Sequence, residues 1–318
     1  MITHGKNIKV FSANSNPGLA KEIANIIGVP IGNSSVVKFA DGEVSVNINE
    51  TVRGSDVFVI QSTCSPVNDH LMELLIMIDA FKRASAGRIT AVMPYMGYAR
   101  QDRKAKARDP ISAKLCADLI SAAGADRVLT MDLHAAQIQG FFNIPVDHLL
   151  GVPVLTPYFA KKFANDKEDL VVVSPDLGSV TRARQFAEKL EIPLAIVDKR
   201  RQRANVSEVM NVIGDIKDKK IILVDDLIDT AGTFCNAAKA LKERGAKEIY
   251  GCATHGVLSG EAINRIQDSP IEELVFLNTI PIPEEKKIDK IKELSVAPVF
   301  AEAIERIYGD ISVSTLFA

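Results

Sequence analysis

The segment 220–233, KIILVDDLIDTAGT, constrains the fold more than any other part of the chain. Residues 221–224 are a short apolar run rich in β-branched side chains, which is typical of a buried strand in a parallel sheet. Two aspartates and the sequence DTAGT follow, and an amphipathic helix then continues through Leu241. Because ligands of open α/β sheets bind just beyond the carboxyl ends of the strands, the segment predicts an α/β fold with a binding site here.

The residue types after this strand favour a site for a phosphorylated sugar. Small residues at 229–233 allow backbone N–H groups and hydroxyls to close around a phosphate at a helix N-terminus. Asp225 and Asp226 suit the hydroxyls of a sugar or a magnesium ion. The alternative is an ordinary strand and helix, with Thr230 or Asp229 as the helix N-cap. Such a cap does not require three aspartates, two threonines and a glycine within nine residues.

Bulk composition narrows the class of protein. A chain of 318 residues usually forms two domains. The net charge of −2 argues against a nucleic-acid partner in general, although it does not address a local basic patch. The four cysteines are far apart and form no CxxC pair, which indicates thiols in a reducing compartment. With no apolar run of membrane-spanning length and no signal-peptide core, we expect a cytoplasmic protein without a membrane partner.

The two halves of the chain share a plan. GADRVLTMDLHA, from Gly124, and GAKEIYGCATHG, from Gly245, each predict a helix end, a strand of about six residues and then a histidine. Residues 11–30 and 173–193 each predict a strand, a turn, a helix and a proline. The matching order predicts an α/β protein with two similar doubly wound domains, 1–149 and 150–318. The last helix and tail are expected to pack back on the first domain.

Two segments resemble a known family. The apolar run, the two acids and DTAGT resemble the ribose-phosphate loop of the type I phosphoribosyltransferase fold, whose members consume or synthesise phosphoribosyl pyrophosphate (PRPP). Segment 132–147, DLHAAQIQGFFNIPVD, resembles the signature of the PRPP synthetases. The resemblance covers essentially the whole chain and is close to the class I bacterial enzymes. It implies two domains of the type I phosphoribosyltransferase fold.

The resemblance also implies a reaction. These enzymes transfer the diphosphoryl group of ATP to the anomeric hydroxyl of ribose 5-phosphate, which gives PRPP and AMP for nucleotide, histidine and tryptophan biosynthesis. The chain contains neither GxxxxGK[ST] nor GxGxxG, so ATP would bind without a P-loop or a Rossmann fingerprint. In the family the adenine is held by one segment of a neighbouring subunit and by a second segment, which implies an oligomer. The matching ATP-binding residues are Phe39, Asp41, Gly42, Glu43, Arg100, Gln101, Asp102 and His134.

Metal, lid and sugar residues follow from the same resemblance. His134 and Asp176 match the ligands of Mg²⁺, although Leu177-Gly178-Ser179 stands where the family has a Gly-Gly pair. The basic run 198–203 is by itself typical of a solvated loop or a nucleic-acid patch. By resemblance it is a mobile lid whose catalytic cations are Lys199 and Arg201. The ribose 5-phosphate residues are Arg201, Asp225, Asp226, Asp229, Thr230, Ala231, Gly232 and Thr233.

Assembly and regulation are expected by analogy with the family. Its members are homohexamers that inorganic phosphate activates and ADP inhibits at a subunit interface. Thr315 stands where the family has a tyrosine. The candidate regulatory residues are Thr51, Arg53, Arg108, Ser312, Ser314 and Phe317.

Three other functions are compatible with parts of the sequence. A non-catalytic regulatory subunit of a synthetase complex typically lacks an intact catalytic loop, whereas this chain keeps Lys199 and Arg201. A phosphoribosyltransferase that consumes PRPP would share DDLIDTAGT but would not need segment 132–147 or two matched domains. A nucleic-acid-binding protein could use the basic runs 100–108 and 199–203, but the overall charge and the lack of interleaved aromatic residues disfavour it.

Overall fold

A computed structural model describes residues 7–200 and 209–317. Parallel strands alternate with helices through most of the chain. The strands are β1 Ile8–Ser12, β2 Ser34–Lys38, β3 Val44–Ile48, β4 Asp56–Ile60, β5 Arg88–Met93, β6 Arg127–Met131, β7 Val146–Leu149, β8 Leu170–Ser174, β9 Leu194–Arg200, β10 Val209–Ile213, β11 Lys220–Ile228, β12 Glu248–Gly256, β13 Ile271–Leu277 and β14 Ile291–Leu294. The α-helices are α1 Pro17–Ile27, α2 Val67–Arg83, α3 Ser112–Ala123, α4 Val152–Lys162, α5 Val180–Leu190, α6 Gly232–Glu243, α7 Ala262–Gln267 and α8 Ala297–Tyr308.

The chain divides into two compact units. The first contains the described residues up to Leu150, the short segment Thr279–Pro281 and the C-terminal part from Ser295. The second contains Gly151–Asn278 and Ile282–Leu294. Each unit has its own parallel sheet and its own cluster of buried apolar side chains.

The first unit is built on a five-stranded parallel sheet in the order β1-β4-β5-β6-β7. β4 and β5 are buried along their whole length, as apolar strands covered by helices on both faces should be. Val10 of β1 pairs with Phe58 of β4 and also forms a parallel bridge to Ile31. After β1 the chain first adds the bridge at Ile31 on one edge of β1 and then adds β4 on the other edge. Strand order therefore reverses at β1. The hairpin β2–β3 forms a separate antiparallel sheet.

The C-terminal helix belongs to the first unit, where it packs on α1. Its end is fixed by Arg88, whose Nε lies 3.0 Å from Asp56 Oδ2 and whose Nη2 donates to the Ile307 carbonyl at 2.9 Å. Both members of this ion pair are buried. A buried pair of this kind is destabilising to break, because either charge alone would be left without compensation.

The second unit has a seven-stranded sheet in the order β10-β9-β8-β11-β12-β13-β14. All neighbours are parallel except β10, which pairs antiparallel with β9. Strand order reverses between β8 and β11, which is the switch point where doubly wound sheets bind ligands. The predicted fold class, two similar doubly wound α/β domains, is confirmed.

Two strands are longer than the sequence pattern predicts. The pattern ends a strand at Val197 and starts a basic loop, but β9 continues to Arg200 because β10 pairs with its end. The pattern also ends a strand at Val224, whereas β11 continues to Ile228 along β12. The partner strands, not the local residues, provide the extra backbone hydrogen bonds. None of the helices in the described ranges is long and apolar enough to cross a bilayer.

Candidate active site

Three carboxylates lie where strand order reverses in the second unit. The pairing of β11 with β8 ends at Leu223 opposite Val173, and β11 then continues along β12 alone. Asp225 and Asp226 lie on this extension. Asp176 follows the end of β8. The sheet therefore places these acids at its carboxyl edge, which is the edge where ligands of such sheets bind.

A turn after β8 connects these acids. Asp176 Oδ1 accepts hydrogen bonds from the backbone N–H groups of Gly178 and Ser179, at 2.9 and 3.1 Å. Ser179 Oγ in turn donates to Asp225 Oδ1 at 2.5 Å, and the Asp226 N–H donates to the same oxygen at 2.8 Å. The turn is thus formed with Leu177-Gly178-Ser179, and the serine adds a hydroxyl donor to the site. The sequence alone does not indicate this role of Ser179.

The environment of Asp225 opposes its ionisation. Withdrawal from water, followed by repulsion from Asp226, raises the pKa of Asp225 to about 7, with Asp176 adding to the repulsion. The hydrogen bond from Ser179 acts in the opposite direction. Arg182 Nη1 lies 3.8 Å from Asp226 Oδ1 and offsets part of the local charge. A bound cation or sugar hydroxyls would favour the ionised form, so the site is suited to such ligands.

The loop between β11 and α6 has the backbone form of a phosphate site. Ala231 occupies the N-cap position of α6 with φ 60° and ψ 1°, in the left-handed region. The alternative of an ordinary capped helix, with Thr230 or Asp229 as N-cap, is therefore wrong. In the described structure no side-chain oxygen caps α6. The first N–H groups of the helix can thus serve a bound anion, as they do at phosphate-binding helix ends.

In the first unit, His134 is presented by a tightly held turn. Asp132 is buried with φ 39°, and its N–H donates to the Leu149 carbonyl at 2.9 Å. The next N–H, of Leu133, donates to His148 Nε2 at 2.8 Å. Leu133 is buried, whereas His134 is exposed. These two hydrogen bonds, which the turn donates to groups of β7, therefore fix the turn and leave His134 exposed at the surface.

His148 is a residue that sequence reasoning missed. The only signal for it is a histidine in the short run VDHL, which gives no indication that the ring would accept a backbone bond. Phe142, in the segment that carries His134, is buried and Phe141 is half-buried, and both pack in the core of the first unit.

The predicted adenine-binding loop touches the segment that carries His134. Gln137 Nε2 donates to Asp102 Oδ2 at 3.1 Å, and Ser112 Oγ donates to Gln101 Oε1 at 2.5 Å. Arg100 is exposed. A cavity of about 350 Å³ opens beside this loop, and its lining residues are Val67, Asn68, Tyr95, Gly97, Tyr98, Arg100 and Gln101. The structure therefore brings Arg100, Gln101, Asp102 and His134 into one region of the first unit.

The other predicted adenine segment is the tip of the β2–β3 hairpin. Gly42 has φ 94°, which a glycine adopts without strain, and the Glu43 N–H donates to Asp41 Oδ1 at 3.1 Å. Phe39 is 57% exposed, which is unusual for a phenylalanine. The tip thus offers an aromatic face and two carboxylates at the surface.

The remaining predicted residues are the two cations of the basic run and the candidate regulatory residues. Lys199 lies in β9 opposite Met210, whereas Arg201 falls outside the described residues. Thr51, Arg53 and Arg108 are exposed. Ser312 and Ser314 are also exposed, with their hydroxyl oxygens 2.7 Å apart. The side chain of Phe317 is outside the described part of the chain.

The described side chains form no complete metal site. Across residues 7–200 and 209–317, no three His, Cys, Asp or Glu side chains gather closely enough to hold a metal ion by themselves. Mg²⁺ commonly binds through one or two carboxylates together with substrate phosphates and water. Asp176 and the neighbouring acids fit that mode, in which the nucleotide supplies the rest of the coordination.

The raised pKa of Asp225 predicts a pH-dependent stability difference. The pKa of Asp225 is higher in the folded protein than in the unfolded chain. The contribution of this carboxyl group to the free energy of unfolding is therefore fully present below about pH 4 and is lost as the pH rises through 7. Asp225→Asn removes this loss of stability. The loss is up to roughly 4 kcal/mol, since each pKa unit corresponds to about 1.4 kcal/mol. We expect the melting temperature of the variant, relative to the wild type, to increase between pH 5 and pH 8 in circular dichroism melts. Asp289→Asn, at an exposed position in the same unit, serves as the control; a constant difference for Asp225→Asn would contradict the argument.

Comparison with known proteins places these features in a family. The profile of the N-terminal domain of ribose phosphate pyrophosphokinase matches residues 8–124, and that of the phosphoribosyl synthetase-associated domain matches residues 201–318. Ribose-phosphate pyrophosphokinases from Clostridium perfringens and Bacillus subtilis are 69% and 61% identical over 317 and 313 residues, covering 100% and 98% of this chain and 99% and 98% of those proteins. The crystal structure of phosphoribosylpyrophosphate synthetase from Mycobacterium smegmatis superposes with a TM-score of 0.91 at 45% identity, covering 96% of this chain and 100% of that one. The chain belongs to the ribose-phosphate pyrophosphokinase family.

Proposed function

We propose that this protein is an enzyme that synthesises PRPP. It transfers the diphosphoryl group of ATP to the anomeric hydroxyl of ribose 5-phosphate and releases AMP. The observation that carries the proposal is the similarity to ribose-phosphate pyrophosphokinases along the whole chain, at 69% identity to the Clostridium perfringens protein and 61% to the Bacillus subtilis protein. The carboxylates and the uncapped helix of the second unit supply matching chemistry.

The second unit binds the sugar phosphate in this proposal. The N–H groups and hydroxyls of residues 229–233 hold the 5-phosphate at the start of α6, where the helix dipole favours negative charge. Asp225 and Asp226 bind the ribose hydroxyls. Because Asp225 is held by Ser179 and by the Asp226 N–H, its carboxyl group is oriented before the sugar arrives. Such orientation lowers the entropic cost of bringing the anomeric hydroxyl into line.

The first unit binds ATP. Arg100, Gln101 and Asp102 contact the adenine, and the hairpin tip at 39–43 of a neighbouring subunit covers its other face. An exposed aromatic ring and a guanidinium plane can enclose a purine, and the exposure of Phe39 is consistent with that role. The active assembly is therefore a homo-oligomer, and we assign it as a hexamer in the cytoplasm.

Charge on the triphosphate is balanced by Mg²⁺ and by the basic run. The magnesium ligands that the family resemblance implies are His134 in the first unit and Asp176 in the second, and bound Mg²⁺ would neutralise phosphate charge. Lys199 and Arg201 stabilise the negative charge of the in-line transfer, and Arg201 also contacts the sugar phosphate. Phosphoryl-type transfer depends mainly on positioning and electrostatic stabilisation, so the protein does not need a strong general base.

Loss of one cation of the basic run is expected to abolish most of the activity. We predict that the wild type releases AMP from ATP and magnesium only when ribose 5-phosphate is present. Lys199→Ala should lower kcat by at least 10²–10³, the range typical for removal of one charged donor to a transition state. AMP formation is measured by chromatography. Lys217→Ala removes an exposed cation from the same unit and should leave the rate unchanged. No sugar-dependent AMP from folded wild-type protein would refute the assignment.

Regulation by phosphate and ADP is part of the proposal. Thr51, Arg53 and Arg108 in the first unit, with the C-terminal Ser312, Ser314 and Phe317, form the candidate nucleotide and phosphate site. Their exposure within one subunit is consistent with an intersubunit location. Inorganic phosphate would activate, and ADP would inhibit, through these groups.

Removing the Arg53 charge should separate regulation from catalysis. Because a guanidinium binds phosphate oxygens strongly, Arg53→Ala should raise the ADP concentration for half-inhibition about tenfold while kcat stays within twofold. Steady-state assays at fixed ATP measure both. Arg83→Ala, which removes another exposed arginine of the first unit, is the control. Unchanged inhibition in Arg53→Ala would remove this residue from the regulatory site.

A further inference from the structure

We propose that Arg265 of α7 is a positioning residue for the ribose 5-phosphate loop. Its guanidinium holds the carbonyl of Thr230 on the side of the loop away from the ligand, and so directs the following N–H group toward the 5-phosphate. The inference rests on the proposed role of residues 229–233. It adds a residue that lies 35 positions from the loop and belongs to no motif recognised in the sequence.

Three consecutive carbonyls at the end of β11 accept hydrogen bonds from one segment of the chain, the part that follows β12. The bonds run from Val257 N and Leu258 N to Ile228 O (3.0 and 3.1 Å), from Ser259 N to Asp229 O (2.9 Å) and from Arg265 Nη1 to Thr230 O (2.7 Å). The loop is therefore anchored by its carbonyl groups along one side.

This anchoring determines where the N–H groups point. In a trans peptide the N–H lies opposite the C=O of the same plane. Because the three carbonyls face the segment after β12, the N–H groups of residues 229, 230 and 231 face away from it. Ala231 then adopts a left-handed conformation directly before α6. A left-handed residue at this position is part of the concave backbone arrangement that binds anions.

Arg265 differs from the other anchors because it is a side chain. The bonds to Ile228 and Asp229 come from backbone N–H groups, which any substitution other than proline leaves in place. The Thr230 carbonyl, in the peptide next to the left-handed residue, is the one anchored by a guanidinium. The same Nη1 lies 3.9 Å from where a Cβ on Gly232 would be placed, so it also reaches the first residue of α6. The planar guanidinium can satisfy this carbonyl in a fixed orientation.

The packing of α7 fixes the position from which Arg265 reaches the Thr230 carbonyl. Ala262 and Ile266 of α7 are fully buried, which fixes the helix on the core of the second unit, while Arg265 is exposed on its other side. The backbone of Arg265 is thus held in place by the packing of α7, and only the arginine side chain has to be ordered to make the hydrogen bond. Loss of the guanidinium would allow the peptide between Thr230 and Ala231 to rotate, and the loop would bind phosphate less tightly.

Binding of ribose 5-phosphate to the full-length protein, measured by calorimetry without ATP, tests the inference directly. Arg265→Met should weaken binding about tenfold, whereas Arg265→Lys, which can still donate to the carbonyl, should recover at least half of the loss on a logarithmic scale. Lys239→Met removes an exposed cation from α6 and should change the affinity by less than twofold. Steady-state kinetics should show a matching rise in KM for ribose 5-phosphate, with KM for ATP within twofold.

Several results would overturn the inference: unchanged sugar-phosphate affinity in Arg265→Met, an equal loss in Lys239→Met, or no binding by the wild type. A tenfold loss that disappears at 0.5 M salt would instead indicate direct charge attraction to the phosphate, and would also overturn it, since a held carbonyl is insensitive to screening. If the wild type binds ribose 5-phosphate and Arg265→Met weakens that binding as expected, but no AMP is formed, the proposed function fails while the positioning role stands.

Discussion

The crowding of three carboxylates around the end of β11 is the interaction on which the site depends. Asp225 is withdrawn from water beside Asp226, which raises its pKa and makes its ionised form costly in the free protein. The surrounding contacts, from Ser179, from the Asp226 N–H and from Arg182, each offset part of that cost. Such an arrangement is poor for stability alone. It becomes favourable when a ligand supplies hydroxyls or positive charge, which is the chemistry of a sugar phosphate with magnesium.

The two units share a topology but differ in the side chains at the point where strand order reverses. In the second unit the switch point between β8 and β11 keeps its acids available. In the first unit the corresponding point, between β1 and β4, is filled by side chains. Gln61 accepts from the Ser15 N–H at 2.9 Å and donates to Glu73, which also accepts from Asn14 Nδ2, both at 2.8 Å. The residues proposed to bind ATP lie instead after β5 and β6, where the loop 98–102 contacts the His134 segment through Gln137 and Asp102.

Much of the fold and part of the site could be predicted from sequence. The apolar run at 221–224 and the small residues after Asp226 are local signals, because burial and loop geometry act on neighbouring residues. The ends of β9 and β11 could not be predicted, since they are set by β10 and β12. The same holds for the contacts of His148 with Leu133 and of Arg265 with Thr230. These bonds join a side chain to a distant backbone group, and no periodicity records them.

The most direct test of the central claim is the identity of the transferred group. Wild-type protein is incubated with ribose 5-phosphate, magnesium and ATP carrying ¹⁸O in the β–γ bridge, and the products are followed by ³¹P NMR. The account predicts a sugar product with a diphosphate on C1 that retains the bridging label, together with AMP in equal amount. Formation of ADP, or a product diphosphate that has lost the label, would show stepwise phosphoryl transfer and contradict it.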